Sequence, residues 1–160
     1  MDRETCEQAY RSALEDAAKQ LSYRTLSASA LRKKLIERRH TEDAAEYAAA
    51  WLEARGLLSD ARFADQLVES YEKRGYGPAR IRQELRRRGV DAEAAAQAME
   101  DFSADQDRLI ALLDKRLKGD LSDRRAVDKA VAFLQRRGFS WEDIRKALRA
   151  YGAAETEGWE

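Results

Sequence analysis

Apolar residues recur along this chain with the three- and four-residue spacing of amphipathic helices. The first run predicts a helix over about residues 4–22 and consists of Cys6, Ala9, Tyr10, Ala13, Leu14, Ala17, Ala18 and Leu21. Comparable runs follow as far as Tyr151, and no stretch of useful length alternates apolar and polar residues as a strand would. The pattern therefore predicts an all-α fold.

Capping residues and glycines mark the ends of the predicted helices. Side-chain oxygens accept hydrogen bonds from the first backbone amides, and glycine adopts the left-handed conformation that ends a helix. The expected starts are Ser27 or Ser29, Thr41, Ser59 or Asp60, Pro78, Asp91, Ser103 and Ser140, and the expected ends are Gly56, Gly75, Gly89, Gly119 and Gly138. Ser103 with Gln106 and Ser140 with Asp143 also have the spacing of a capping box.

The apolar positions also repeat at a much longer interval. Leu31/Leu35 recurs as Ile81/Leu85 and as Ala130/Leu134, at steps of 50 and then 49 residues, and a second set of pairs has the same steps. Units of about 50 residues are marginal alone but can stack, so we expect a tandem array of three three-helix, helix-turn-helix-like repeats. The expected segments are an N-terminal helix (1–25), repeats over 26–75, 76–120 and 121–152, and an acidic disordered tail (153–160).

Charge is sorted along the chain although the formal net charge is zero. Seven cations and two carboxylates lie between Glu72 and Arg88, whereas the stretch from Gly89 to Asp107 holds six carboxylates and no cation. A basic helix is thus followed by an acidic one. Zero net charge argues against strong, sequence-blind binding to DNA, because the acidic helices would repel the same polyanion, and favours a partner of mixed charge.

Few residues in the chain suit catalysis or metal binding. One cysteine, Cys6, and one histidine, His40, make a Cys/His zinc site implausible, and no Gly-rich phosphate-binding loop is present. Cys6 is expected in the core and His40 in an exposed loop. Paired carboxylates fall in first helical turns, where the helix dipole explains them. We therefore expect no enzyme, no metal and no cofactor.

No apolar run approaches the roughly 18 residues that a membrane span needs, and the N-terminus is polar. We expect a cytoplasmic protein that makes no contact with a membrane.

The basic helix after Pro78 offers the best candidates for binding. Ile81 and Leu85 would face inward, while Arg82 and Arg86 have no carboxylate within helical reach and are best explained by an external anion. Arg80, Arg87 and Arg88 can instead reach Glu84, so a solvated, salt-bridged flank explains them as well as a functional role does. Lys33 and Lys34 are similar candidates in the first repeat. Tyr76, between two glycines, is expected at an exposed loop tip, where it contacts a partner or packs over the next repeat.

Four segments of the chain form a signature with similarities on either side of it. The signature is Arg-Gly-Tyr-Gly-Pro-Ala-Arg-Ile-Arg-Gln-Glu-Leu-Arg-Arg-Arg-Gly-Val at residues 74–90. Flanking similarities are Gly-Leu-Leu-Ser-Asp-Ala-Arg-Phe-Ala at 56–64, Arg-Arg-Gly-Phe-Ser-Trp-Glu-Asp-Ile at 136–144, and Ser-Ala-Leu-Arg-Lys-Lys-Leu at 29–35. Together these segments resemble the RecX family, the bacterial regulators of the RecA recombinase, and the resemblance covers about residues 13–151.

The resemblance implies an elongated, curved array and a non-catalytic protein that binds RecA and lies along the groove of the RecA–DNA filament. It implies inhibition of recombinase, ATPase and coprotease activities, and thereby modulation of homologous recombination, DNA repair and the SOS response. The candidate residues for binding the filament or phosphate are Arg74, Tyr76, Gly77, Pro78, Arg80, Arg82, Arg86 and Arg87, together with Lys33 and Lys34.

Two other interpretations remain open. A helix-turn-helix-type DNA- or RNA-binding module would place Arg82 and Arg86 against phosphates and bind nucleic acid without RecA. A generic helical scaffold would use its charges only for solubility. The first interpretation allows a weak direct contact with DNA, and we expect a monomer.

Overall fold

The computed structural model describes residues 2–157, the last five by their backbone alone. The described residues form nine α-helices and no strand, which confirms the all-α prediction. The helices are α1 (Arg3–Tyr23), α2 (Ala28–Glu37), α3 (Glu42–Ala54), α4 (Asp60–Lys73), α5 (Pro78–Arg87), α6 (Ala92–Met99), α7 (Gln106–Leu117), α8 (Arg124–Arg136) and α9 (Trp141–Glu157). None of the helices in residues 2–157 is long and apolar enough to cross a membrane.

Most helix ends lie where the capping pattern predicts. Ser27 and Thr41 cap α2 and α3, and Ser140 accepts the amide hydrogen of Asp143 at the start of α9. The start of α7 differs from the prediction. Asp105 caps this helix by accepting the amide hydrogens of Asp107 and Arg108, so the predicted Ser103–Gln106 capping box is wrong. Ser103 lies too far before Gln106, the first residue of α7, to reach the first free amides.

The chain packs as two compact units, and each has its own part of α4 and α5. The first unit comprises the residues up to Gln66 together with Leu85–Ala98. Its core is formed by α1, α2 and α3, where Ala13 and Ala17 of α1 and Ala48 of α3 are completely buried. Small side chains on both helices let their backbones approach closely, and Leu31 and Leu35 of α2 complete the core.

The second unit comprises Leu67–Glu84 together with the residues from Met99 onward. Leu109 and Leu113 of α7, Leu134 of α8 and Ile144 of α9 are completely buried in its core. Tyr151 of α9 closes the same core: its hydroxyl donates to Asp114 Oδ1 at 2.8 Å and accepts from the backbone amide of Gly119 at 2.7 Å.

Within the first unit, the start of α2 packs against the end of α5, a contact that we call the first joint. Ser27 Oγ donates to the carbonyl oxygen of Arg88 at 2.6 Å, and a Cβ on Gly89 would lie 2.7 Å from Ser29 Oγ. Asp60 strengthens this joint, because Oδ1 accepts the amide hydrogen of Ala28 and Oδ2 that of Asp91, both at 2.8 Å. One carboxylate thereby satisfies free amides at the starts of α2 and α6.

Within the second unit, the start of α5 packs against the end of α8 in the same manner, which we call the second joint. The amide of Gly77 donates to the carbonyl oxygen of Arg137 at 2.7 Å, and that of Ala79 donates to Gly138 at 3.0 Å. Residues 27 and 77, and residues 88 and 137, are separated by the 50- and 49-residue steps of the sequence repeat. The repeat therefore corresponds to a contact that the chain makes twice.

The predicted repeat boundaries at residues 26, 76 and 121 stay a prediction. At the C-terminus, α9 continues to Glu157, so residues 153–157 are helical where the sequence predicted a disordered tail. Trp159 and the rest of that predicted tail lie outside the described residues.

Candidate functional site

An aromatic ring surrounded by arginines lies in the second unit, at the turn between α4 and α5. The guanidinium carbons of Arg137, Arg74 and Arg80 lie 4.4, 5.4 and 5.7 Å from the centroid of the Tyr76 ring. The Tyr71 ring lies 5.2 Å from that of Tyr76, and Arg74 also lies over it at 4.7 Å. We call these five residues the Tyr76 cluster.

Local sequence places Tyr76 in this position. Gly75 ends α4 with a φ of 84°, and the amide of Tyr76 then donates to the carbonyl oxygen of Tyr71 at 3.0 Å. Pro78 begins α5 two residues later, as predicted. The Tyr76 side chain is half-buried among the arginines, so the expectation of an exposed loop tip is wrong.

The Tyr76 cluster carries positive charge that the protein does not neutralise. Within the described part of the chain, Arg74, Arg80 and Arg137 form no ion pair with a carboxylate. The guanidinium of Arg137 donates to the carbonyl oxygen of Arg74 at 3.3 Å, and the other contacts are with ring faces. A cation over an exposed ring gains only about 0.5–1 kcal/mol, and the three like charges repel one another, so the cluster is suited to an external anion.

Sequence reasoning missed Arg137, which has the shortest distance to the Tyr76 ring among the three arginines. A signal was present, since Arg136-Arg137-Gly138 repeats Arg87-Arg88-Gly89 at the 49-residue step. Gly77 and Pro78 were predicted as binding residues, but Gly77 is buried in the second joint. Its backbone amide donates to the carbonyl oxygen of Arg137.

The remaining arginines of α5 fall into two groups. Arg82 and Arg86 are exposed, and neither side chain forms a hydrogen bond or ion pair with another described residue. Glu84 is only 3% exposed and has an interaction partner within the protein, as do Arg87 and Arg88. Burial of Glu84 is unexpected for a carboxylate in a basic helix.

A basic pocket in the first unit brings three of the predicted residues together. Lys33, Lys34 and Arg87 line a cavity of about 640 Å³ beside the start of α2. Arg24 and Arg88 add two further cations to the lining, and Glu37 is the one carboxylate in it. The pocket is therefore strongly cationic and can accept an anionic group.

A polar cluster at the end of α2 is structural. Asp16 Oδ2 accepts from Arg38 Nε and contacts His40 Nε2, both at 2.8 Å, and Gln20 donates to Oδ1 at 3.1 Å. The hydrogen bond from Arg38, reinforced by those from His40 and Gln20, lowers the pKa of Asp16 from 3.8 to about 2 against the opposing effect of burial. His40 is thus half-buried and bonded, and its prediction as an exposed loop residue is wrong.

No group of three or more His, Cys, Asp or Glu side chains among the described residues could hold a metal ion. The chemistry that these surfaces offer is recognition of anionic or mixed-charge partners.

Comparison with known proteins identifies the family. Family models of the second and third three-helix domains of RecX match residues 59–99 and 104–148, which correspond to α4–α6 and to the greater part of α7–α9. The chain is 40% identical over 135 residues to the regulatory protein RecX of Chromohalobacter salexigens, covering 84% of this chain and 89% of the relative. It is 32% identical over 158 residues to that of Shigella dysenteriae serotype 1, covering 89% and 93%.

A solved structure shows the same fold. The crystal structure of RecX from Lactobacillus salivarius superposes with a TM-score of 0.83 at 21% identity, covering 91% of this chain and 97% of that chain. These matches confirm the predicted three-helix domains in tandem. The chain belongs to the RecX family of regulatory proteins.

Proposed function

We propose that this protein is a non-catalytic regulator that binds RecA and the RecA–DNA filament. It inhibits the recombinase, ATPase and coprotease activities of RecA, and so modulates recombinational repair and the SOS response. It acts as a cytoplasmic monomer without metal or cofactor. Membership of the RecX family supports the part of this proposal that makes the protein a regulator.

The observation that carries the proposal is the Tyr76 cluster. Three guanidiniums surround one half-buried ring without a carboxylate partner in the described part of the chain. Arginines that are held in place by ring contacts lose little conformational freedom on binding, and aromatic and arginine side chains are typical of interface hot spots. A filament that presents both protein carboxylates and phosphates offers suitable partners.

The basic pocket favours a weaker, direct contact with DNA as a second candidate function. Lys33, Lys34 and Arg87 line this pocket together, and clustered lysines and arginines bind phosphates without regard to sequence. Such a contact would add to binding of the filament and would weaken steeply as salt is added.

Single-stranded-DNA-dependent ATP hydrolysis by RecA, with this protein titrated below filament saturation, tests the proposal. The variant Arg74→Gln/Arg80→Gln should weaken inhibition by about tenfold, because interface arginines commonly contribute 1 kcal/mol or more. The matched control is Arg145→Gln/Lys146→Gln, which removes the same charge from exposed positions of α9. Absence of inhibition, or equal effects of both variants, would contradict the proposal.

A further inference from the structure

A groove between α7 and α8 in the second unit is separate from the surfaces described so far, except that Arg137 lines it as well. The cavity has a volume of about 550 Å³. Its rim is cationic, formed by Lys115, Arg116, Lys129 and Arg137. Its floor is apolar, with Leu112 and Phe133 as the largest side chains. We call it the α7–α8 groove.

Charge in the α7–α8 groove has a single sign. None of its lining residues is a carboxylate, and within the described residues Lys115, Arg116 and Lys129 form no ion pair. Arg116 lies 3.4 Å above the centroid of the Phe133 ring, and Arg137 lies 5.1 Å from it. The ring thereby holds two guanidiniums at the rim. The N–H groups of Arg116, and those of Arg137 that do not donate to the carbonyl oxygen of Arg74, are available to an acceptor.

The combination of rim and floor defines the chemistry of an occupant. Carboxylates satisfy the rim, and an apolar side chain covers the floor, so an acidic peptide segment with one apolar anchor meets both requirements. A nucleic acid strand fits less well, because Arg116 already occupies a face of Phe133 on which a base would stack.

A second copy of this chain that docked in the manner of the two joints fits less well for a different reason. Ala126, in the groove, is the repeat equivalent of Gly77 and Ser27 at the 49- and 50-residue steps. In both joints, those equivalent positions contact a helix end that carries Arg-Arg-Gly. Another such basic end would be repelled by the four cations of the rim.

We propose that the α7–α8 groove binds an acidic protein segment that carries an apolar anchor residue. The proposal goes beyond the function proposed above, since it concerns a groove that shares only Arg137 with the Tyr76 cluster and does not require that RecA supplies the segment.

Fluorescence anisotropy with two labelled peptides tests this proposal on the full chain. One peptide is Glu-Asp-Glu-Phe-Leu-Glu-Asp-Glu, and the other has Gly-Ser in place of Phe-Leu. The anchored peptide should bind at least about tenfold more tightly, because burying one large apolar side chain accounts for that difference. A short oligothymidylate should displace the anchored peptide poorly.

Two double variants test whether the anchored peptide binds in the α7–α8 groove. Lys115→Ala/Lys129→Ala should weaken binding of the anchored peptide roughly tenfold by removing two rim charges. Arg145→Ala/Lys146→Ala removes the same charge from exposed positions of α9 outside the groove and should leave the affinity unchanged. Circular dichroism at equal concentration verifies that all three proteins are folded.

Three outcomes would overturn the proposal: no binding of the anchored peptide, equal affinity for both peptides, or equal weakening by the groove and α9 variants. Efficient displacement by oligothymidylate, lost only in the groove variant, would assign the groove to nucleic acid instead. Because none of these peptide assays contains RecA, a negative result would not bear on the proposal that the protein regulates RecA, which the ATPase assay tests separately.

Discussion

The backbone amide of Gly77 donates to the carbonyl oxygen of Arg137 across 2.7 Å, and the guanidinium of the same arginine lies 4.4 Å from the centroid of the Tyr76 ring. Gly77, which was predicted to bind a partner, thus packs against the backbone of an arginine of the Tyr76 cluster. The contact is tight, since a Cβ on Gly77 would lie 2.5 Å from the carbonyl carbon of Gly138.

Replacing Gly77 with alanine should therefore destabilise the protein. Backbone atoms cannot move aside as the end of a flexible side chain can, and overpacking of this kind costs about 1–3 kcal/mol. Thermal unfolding followed by circular dichroism measures the change. Gly56→Ala is the control, because Gly56 has a φ of 71° but no atom within 4 Å of the added Cβ, and should cost only about 1 kcal/mol. A melting temperature of Gly77→Ala equal to that of the wild type would contradict close packing in the second joint.

Asp60→Ala should remove two helix caps at once. Its carboxylate accepts the amide hydrogens of Ala28 and Asp91, and losing both acceptors should cost about 1–3 kcal/mol. Urea unfolding measures this loss. Asp60→Asn keeps one acceptor oxygen and should recover part of the stability, whereas Asp65→Ala, at an exposed position of the same helix, should have little effect. If Asp60→Ala matched Asp65→Ala, the bridging role would be wrong.

Asp16 should make stability depend on pH in the acid range. Its pKa is lowered from 3.8 to about 2 in the folded protein, chiefly by the hydrogen bond from Arg38, so the unfolded chain takes up the proton first as the pH falls. The contribution is fully present above about pH 4 and is lost as the pH falls through about 2. Urea unfolding of the wild type and Asp16→Asn across this range checks the sign. The difference in stability between them should shrink on acidification, and a constant difference would refute the assignment.

Arg82→Ala/Arg86→Ala should weaken inhibition of the RecA ATPase without changing the melting temperature. Both side chains are exposed and unpaired within residues 2–152, so their removal leaves no buried group unsatisfied there. We expect a several-fold loss, about 1 kcal/mol. Arg145→Ala/Lys146→Ala is the control of equal charge. Unchanged inhibition by the Arg82/Arg86 variant would favour the generic scaffold over a functional helix.

Local features of this fold could be predicted from the sequence, because caps, glycines and apolar periodicity act within a few residues. Pro78 begins α5 and Gly75 ends α4 for such reasons. The contacts of Arg137 with Arg74 and of His40 with Asp16 join residues 63 and 24 positions apart, and no local rule specifies them. The start of α7 was predicted at Ser103, but the helix begins at Gln106, so Asp105 and not Ser103 is next to its first free amides and caps it.

The two joints also bear on how the chain matures during synthesis. Ser27 bonds to Arg88, 61 residues later, and Gly77 bonds to Arg137 at a similar separation. The first joint cannot close until Arg88 has left the ribosome, and the second must wait for Arg137. Until Arg137 emerges, the backbone amide of Gly77 has no acceptor in the second joint. Contacts of such long range slow the folding of a helical protein below the rate that its local structure alone would allow.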